Sequence, residues 1–168
     1  MPLRSDWSQR TCSMARGLDI LGDPWSILVL REVFFGNGRF DAMKSRLEVA
    51  DSVLTKRLAG LVESGLLEKK AYDDGGRTRQ EYVLTPKGED ALPVLNAITI
   101  WAEKHLPAPS DQAHLYVIHS GCGKATSSAD TCTECGDRLT AANTSWHSRS
   151  RSELPIRLST AAGNGTAA

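Results

Sequence analysis

Three cysteines and a histidine in the C-terminal third have the residue types and spacing of a metal site. "HSGCG" spans residues 119–123 and "CTECG" spans residues 132–136. Each stretch separates two ligand-type side chains by two residues and then supplies a glycine, so both side chains can reach one ion. His119, Cys122, Cys132 and Cys135 would complete a tetrahedral Zn²⁺ shell. We expect this zinc to be structural, because four protein ligands leave no open position for catalysis.

Several alternatives for this cluster remain open from the sequence. His114 or His147 could replace His119 as the fourth ligand, or a water could complete the shell. The CxxC of Cys132 and Cys135 could instead be redox-active, although no thioredoxin-like βαβ pattern surrounds it. An enzyme, either a zinc-dependent hydrolase or a thiol oxidoreductase, is disfavoured because the chain has no nucleophile elbow, phosphate loop or HExxH motif.

The bulk composition is that of a soluble globular protein. The 168 residues are 40% hydrophobic and 24% charged, and twenty basic residues balance twenty acidic ones. Any nucleic-acid binding therefore needs a local basic surface rather than a basic whole protein. No apolar run approaches the roughly 20 residues of a membrane span, and "MPLRSDWSQRT" lacks the apolar core of a signal peptide. We expect a cytoplasmic protein with no membrane partner.

The sequence divides into four parts by composition. Residues 12–106 alternate apolar and polar positions densely, and "PAPSDQ" opens a linker at residues 107–113. Residues 114–146 combine a short strand-like run with the cysteine cluster, which predicts a zinc-ribbon-like appendage. Residues 147–168 are rich in Ser, Ala and Gly and are predicted to be a disordered tail.

The first part is predicted to fold as four helices, a β-hairpin and a long last helix. "DDGG" at residues 73–76 separates two strand-like runs, which is a hairpin signal. The last helix is predicted from Pro86 to about Leu106, with four apolar residues on one face: Leu92, Leu95, Ile98 and Trp101. This order predicts a mainly α chain with a small hairpin (α+β), arranged as a winged helix-turn-helix domain.

The fourth helix and the hairpin carry the candidate DNA-binding side chains. Small hydroxylated residues near a helix start can approach base edges, and Lys or Arg can reach phosphates or guanine. The candidates are Ser52, Thr55, Lys56, Arg57, Arg77 and Arg79. Composition alone favours the alternative that the charged side chains among them face solvent and bind no DNA. A zinc-ribbon protein-interaction module on a helical scaffold that does not contact DNA is a further alternative.

Three stretches of residues 12–106 resemble the HxlR-type transcriptional regulators, relatives of the MarR group. They are "ARGLDILGDPWSILVLREVFFGNGRFDAMKSRL", "SVLTKRLAGLVESGLLEKK" and "RQEYVLTPKGEDALPVLNAITIWAEKH". The resemblance implies a non-enzymatic repressor or activator that binds an inverted repeat in double-stranded promoter DNA. It also implies a homodimer built from the first and last helices, and association with the nucleoid when bound to DNA.

Cys12 stands just before the first helix, where many members of that family carry a cysteine. In some of them this thiol senses quinones, aldehydes or disulfide stress, so the resemblance implies redox sensing at Cys12 and a small-molecule or electrophile effector. Arg10 and Arg16 would favour the thiolate. A small buried apolar role for Cys12 is equally open.

Overall fold

The computed structural model describes residues 6–161. Its N-terminal part contains α1 (Ser13–Leu21), α2 (Pro24–Phe34), α3 (Phe40–Leu47), α4 (Asp51–Glu63), β1 (Leu67–Asp73), β2 (Thr78–Leu84), α5 (Pro86–Glu89) and α6 (Leu92–His105). Its C-terminal part contains β3 (Tyr116–His119), β4 (Lys124–Ala125), a 3₁₀ turn at Ala141–Asn143, β5 (Thr144–His147) and β6 (Ile156–Arg157). The predicted α+β class is confirmed.

Helices α2, α3 and α4 surround the main core. The Asp23 carboxylate caps α2 by accepting a hydrogen bond from the Trp25 N–H (2.9 Å), and Pro24 takes the first helical position, where its missing N–H costs nothing. Helical spacing places Leu54, Leu58 and Leu61 of α4 on one stripe, and all three are fully buried. Burial of this stripe leaves the opposite side of α4 facing solvent.

The predicted hairpin is present as an antiparallel pair of mostly exposed strands. The register runs from Leu67 opposite Leu84 to Asp73 opposite Thr78. The turn needs Gly75 and Gly76, because both take positive φ angles (63° and 88°) that L-residues rarely adopt. The Gly76 N–H donates to the Asp73 carboxylate (2.7 Å), which closes the loop.

The predicted long last helix is wrong in one respect, because the chain forms α5 and α6 with a break between them. Pro93 has no N–H, and its ring would collide with the carbonyl of Glu89 in a continuous helix. The predicted single apolar face also divides. A spacing of three residues rotates by about 60° per step on a helix of 3.6 residues per turn. Leu92 and Leu95 are therefore buried, whereas Ile98 and Trp101 are 48% and 58% exposed.

The C-terminal strands form an antiparallel sheet in the order β4-β3-β5-β6. Residues 107–113 form an exposed connection, without helix or strand, between α6 and this sheet. Trp146 on β5 is buried against Phe34, the last residue of α2, and Phe35, which follows it, with ring centroids 5.6 and 5.2 Å away. The sheet therefore shares the core of the helical part instead of standing apart from it.

The predicted disorder from residue 147 onward is wrong for residues 147–161. Ile156 of β6 pairs with Trp146, and Leu158 and Ser159 are buried. The Ser159 N–H donates to the Phe34 carbonyl (2.8 Å), and Arg151 pairs with Glu32. These long-range contacts order a segment that composition alone marks as unstructured. Residues 162–168 lie outside the described residues. Within residues 6–161, no helix has both the length and the apolarity that crossing a bilayer requires.

Candidate metal centre and nucleic-acid interface

The two cysteine-containing turns meet at the end of β3. His119 is the last residue of β3, and the Gly123 N–H donates back to its carbonyl (2.8 Å). The Gly136 N–H makes the matching bond to the Cys132 carbonyl (2.9 Å) in the second turn. The cluster consists of His119, Cys122, Cys132 and Cys135, whose ligand atoms all lie within 4.8 Å of one another. This His/Cys₃ cluster can hold a metal ion.

The distances within the cluster fit ligands around one ion. The sulfurs of Cys122 and Cys132 are 3.6 Å apart, and the Cys135 sulfur is 3.2 Å from Nδ1 of His119. A tetrahedron with Zn–S bonds of about 2.3 Å has sulfur–sulfur edges of about 3.8 Å. A disulfide needs about 2.05 Å, and the three thiols are free. The donor set therefore suits a thiophilic tetrahedral ion such as Zn²⁺.

His119 belongs to this cluster, whereas the alternative histidines His114 and His147 do not. The His119 ring is buried, with Nδ1 towards the thiols and Nε2 3.9 Å from the Asp137 carboxylate. Gly121 makes room for the ring, because a Cβ at that position would lie 2.8 Å from Cε1 of His119. His114 is instead bonded to Glu103 (2.6 Å).

The thiols of the second turn differ in acidity. The backbone N–H of Cys135 lowers the pKa of the Cys132 thiol to about 7, and the N–H of Glu134 adds to the effect. For Cys135 the N–H of Asp137 lowers the pKa, but desolvation and hydrogen bonds with the other two thiols outweigh it and raise the pKa to about 11. Cys132 is therefore the thiol of this turn that ionises more readily, and metal binding would displace the remaining protons.

Cys12 lies outside the cluster and is exposed at the N-terminus of α1. Arg16 donates to the carbonyls of Arg10 (2.6 Å) and Thr11 (3.0 Å) and to the Ser13 hydroxyl (3.1 Å). The predicted alternative of a small buried residue at Cys12 is therefore wrong. Its redox role stays a prediction.

The exposed side of α4 carries three of the four candidate residues predicted there. Ser52, Thr55 and Lys56 are exposed; Ser52 and Lys56 lie opposite the buried leucine stripe and Thr55 lies on its flank. Arg57 is not available in the same way, because its side chain is only 18% exposed and its Nη2 lies 2.7 Å from the Asp23 carboxylate. Arg57 sits next to Leu58 at the edge of the buried stripe, so it ties α4 to the start of α2 instead of facing outward.

The two arginines of the wing, β1–β2, also differ. Arg77 is exposed in the loop between the strands. Arg79 is half exposed, and its Nε lies 2.8 Å from the Asp74 carboxylate, with Nη1 3.9 Å from that of Asp41. Arg77 is therefore the better placed of the two to meet a phosphate.

Comparison with known proteins decides what this arrangement is. The HxlR-like helix-turn-helix model matches residues 20–110, more than half of the chain. The chain belongs to the HxlR-like helix-turn-helix family. The uncharacterized HTH-type transcriptional regulator Rv3095 of Mycobacterium tuberculosis (strain ATCC 25618 / H37Rv) is 34% identical over 131 residues, which are 78% of this chain and 82% of that protein.

Solved structures agree with this assignment. The crystal structure of PA1607, a candidate transcription factor, is 34% identical with a TM-score of 0.67 and covers 80% of this chain and 93% of that one. A candidate MarR-family transcriptional regulator from Porphyromonas gingivalis W83 is 26% identical with a TM-score of 0.50, covering 59% of this chain and 97% of that one. This HxlR-like protein is a DNA-binding transcriptional regulator with a MarR-like winged helix, and its family is not a family of enzymes.

Sequence reasoning missed basic residues that the HxlR-like fold brings beside α4 and the wing. The Arg39 guanidinium, at the start of α3, lies over the Tyr72 ring of β1 (4.3 Å). The Lys44 ammonium of α3 pairs with Asp51 at the start of α4 (2.7 Å). Arg39 precedes α3 in sequence and Lys44 lies within it, but only tertiary contacts place them against the wing and α4.

Proposed function

We propose that this HxlR-like regulator binds an inverted-repeat operator as a homodimer, with α4 in the major groove and the wing on the adjacent backbone or minor groove. The observation that carries the proposal is the exposed set Ser52, Thr55 and Lys56 on one side of α4, together with the exposed Arg77 of the wing. Hydroxyls and a lysine at a helix surface match base edges and phosphates, and the wing arginine matches the phosphate backbone.

The proposed homodimer rests on apolar side chains of the first and last helices. Met14 and Leu18 of α1 are 74% and 48% exposed, and α6 exposes Val94, Ile98 and Trp101. Large apolar side chains concentrated on two helices of a folded chain mark an interaction surface. A two-fold dimer through these helices would present two copies of α4 to two half-sites.

We propose one structural Zn²⁺ per chain, bound by His119, Cys122, Cys132 and Cys135. Support comes from the tetrahedral separations of the ligand atoms and from the thiol-rich donor set. The turns that carry the ligands contain few apolar side chains, so the ion would supply much of their order. Structural zinc of this kind contributes on the order of 10 kcal/mol to folding.

The effector we propose is a small molecule or electrophile that acts on the exposed thiol of Cys12. This residue stands at the N-cap position of α1, a helix of the proposed dimer surface. A regulator of promoter DNA acts where the chromosome is. We therefore place it in the cytoplasm, associated with the nucleoid while it is bound to DNA.

The test compares Lys56→Ala with its neighbour Arg57→Ala on DNA selected by the full-length wild type. Lys56→Ala should change base preference at its contacted positions by about 1–3 kcal/mol without lowering the thermal midpoint. Arg57→Ala should lower the thermal midpoint, because it removes the ion pair with Asp23, and should leave the preferred sequence unchanged. If Lys56→Ala binds every sequence as the wild type does, α4 is not the reading helix.

A further inference from the structure

Asn96 is a fully buried polar residue of α6, and it joins three segments of the chain. Its Nδ2 donates to the Ala129 carbonyl (2.9 Å), and its Oδ1 accepts from Nε1 of Trp146 (2.9 Å). Trp146 in turn packs on the rings of Phe34 and Phe35 at the C-terminal end of α2. A buried amide that uses both ends in this way holds its partners in one arrangement, because losing either bond leaves a polar group unsatisfied.

The Ala129 carbonyl belongs to the loop that ends at Cys132 of the His/Cys₃ cluster. Thr126 anchors the start of this loop, since its N–H donates to the Val117 carbonyl of β3 (2.9 Å) and its hydroxyl donates to the Thr131 carbonyl (3.1 Å). The other end is Cys132, three residues after Ala129 and one of the four cluster residues. Residues 127–131 are small or polar. The Asp130 carbonyl also accepts from the Leu139 N–H (2.8 Å), so Cys132 is one of the contacts that set the position of Ala129.

Asn96 lies on the side of α6 opposite the exposed apolar residues. Counting 100° per residue around the helix, it falls about 160° from Val94 and about 140° from Trp101. These two side chains are 42% and 58% exposed, whereas Asn96 has no exposed surface. Any shift of α6 at Asn96 must move the apolar face, because the helix turns and translates as one body.

We propose that Asn96 is a positioning residue that couples metal occupancy of the cluster to the placement of α6, and through α6 to self-association of the chain. This rests on the zinc site and the dimer surface proposed above. Loss of the ion frees Cys132, the Ala129 carbonyl leaves Asn96, and Asn96 loses one of its two buried hydrogen bonds. The coupling is reciprocal, so dimerisation tightens metal binding by the same free energy by which metal tightens the dimer.

The test uses the full-length chain with Zn²⁺ and after chelation, in the wild type and in Asn96→Leu, with metal content measured throughout. Sedimentation gives the dimer dissociation constant, and hydrogen exchange reports on the amides of residues 96–102. In the wild type, chelation should raise the dissociation constant at least tenfold and speed exchange in this segment. Asn96→Leu retains the zinc ligands and the exposed face of α6. In this variant, chelation should change the dimer dissociation constant and the exchange rates by less than twofold.

Trp146→Phe is the matched control, because it removes the donor to Asn96 Oδ1 but leaves the bond to Ala129, so it should keep the chelation response. Asn96→Ser serves if Asn96→Leu does not fold. A chain that binds no zinc defeats the proposed metal site. A zinc-bound chain whose exchange and dimerisation ignore chelation, or an Asn96→Leu variant with the full response, overturns the coupling alone. If the zinc-bound chain is a monomer, the dimer proposal fails. Hydrogen exchange alone then tests the coupling between metal and α6, which is overturned if exchange in the wild type ignores chelation or if Asn96→Leu keeps the full response.

Discussion

Arg151, in the C-terminal segment, forms a bidentate ion pair with Glu32 of α2 across 119 positions of the chain. Its Nη1 donates to one carboxylate oxygen at 3.0 Å and its Nη2 donates to the other. The Glu32 side chain is completely buried and also accepts from Arg31 (2.9 Å) and Asn37 (3.2 Å). The segment after the cysteine cluster is thus fastened to the second helix by a buried charge.

Replacing Arg151 with Met should lower the free energy of unfolding by about 3 kcal/mol. Removing one partner of a buried pair leaves the other charge undercompensated, and here Arg31 and Asn37 compensate only in part. Chemical denaturation measures the change. Arg149→Met is the control, since Arg149 is exposed and its replacement should stay within about 0.5 kcal/mol. Equal effects of the two substitutions would show that the pair does not stabilise the fold.

The stabilising effect of Glu32 should disappear in acid. Burial raises the pKa of the Glu32 carboxyl, but the hydrogen bonds and charge of Arg151, with Asn37 and Arg31, outweigh it and hold the pKa below its ordinary value of 4.5. A carboxyl with a lowered pKa in the folded state stabilises above its unfolded pKa, and this contribution is lost as the pH falls through the folded value.

The difference in unfolding free energy between wild type and Glu32→Gln should therefore stay constant from pH 7 to about pH 5 and shrink below about pH 4.5. Urea denaturation at a series of pH values measures it. A difference that grows on acidification would mean that Glu32 is protonated in the native protein at neutral pH.

Local patterns predicted much of this molecule, and long-range contacts account for what they missed. The meeting of His119, Cys122, Cys132 and Cys135 is partly predictable, because the two residues of each pair lie within four positions of each other in sequence. Pro93 also signals the break between α5 and α6 in the sequence itself, whereas the apolar spacing around it predicts one continuous helix. The bonds of Asn96 to Trp146 and of Arg151 to Glu32 join residues 50 and 119 positions apart. No local pattern marks such partners, so the order of residues 147–161 and the inward role of Arg57 could not be foreseen.

The wing should contribute DNA affinity without sequence preference. Arg77→Ala should weaken binding to all duplexes alike and reduce the slope of log affinity against log salt by about one. Gel shifts over a range of salt concentrations measure both quantities. Lys104→Ala, an exposed charge near the end of α6, is the control and should leave the slope unchanged. An Arg77→Ala slope equal to that of the wild type would remove the wing from the interface.

Zinc should depend on the cluster and not on Cys12. Cys132→Ser should lower the zinc content from about one ion per chain to a small fraction, because a hydroxyl cannot replace a buried thiolate ligand. Cys12→Ser should keep full occupancy. Metal analysis of both purified variants tests this. Chelation of the wild type should increase hydrogen exchange in residues 114–140, and, because Trp146 packs on Phe34 and Phe35, also lower the thermal midpoint of the helical part. Full zinc occupancy in Cys132→Ser would contradict the site.

The most direct test of the whole account is selection of duplex DNA from a random library by the zinc-loaded, full-length chain, followed by footprinting of the selected site. We predict an inverted repeat whose half-site centres lie about 10–10.5 base pairs, or a multiple of that spacing, apart, protected by two copies of the chain. Enrichment of an asymmetric site protected by one copy, or of no sequence at all, would contradict it.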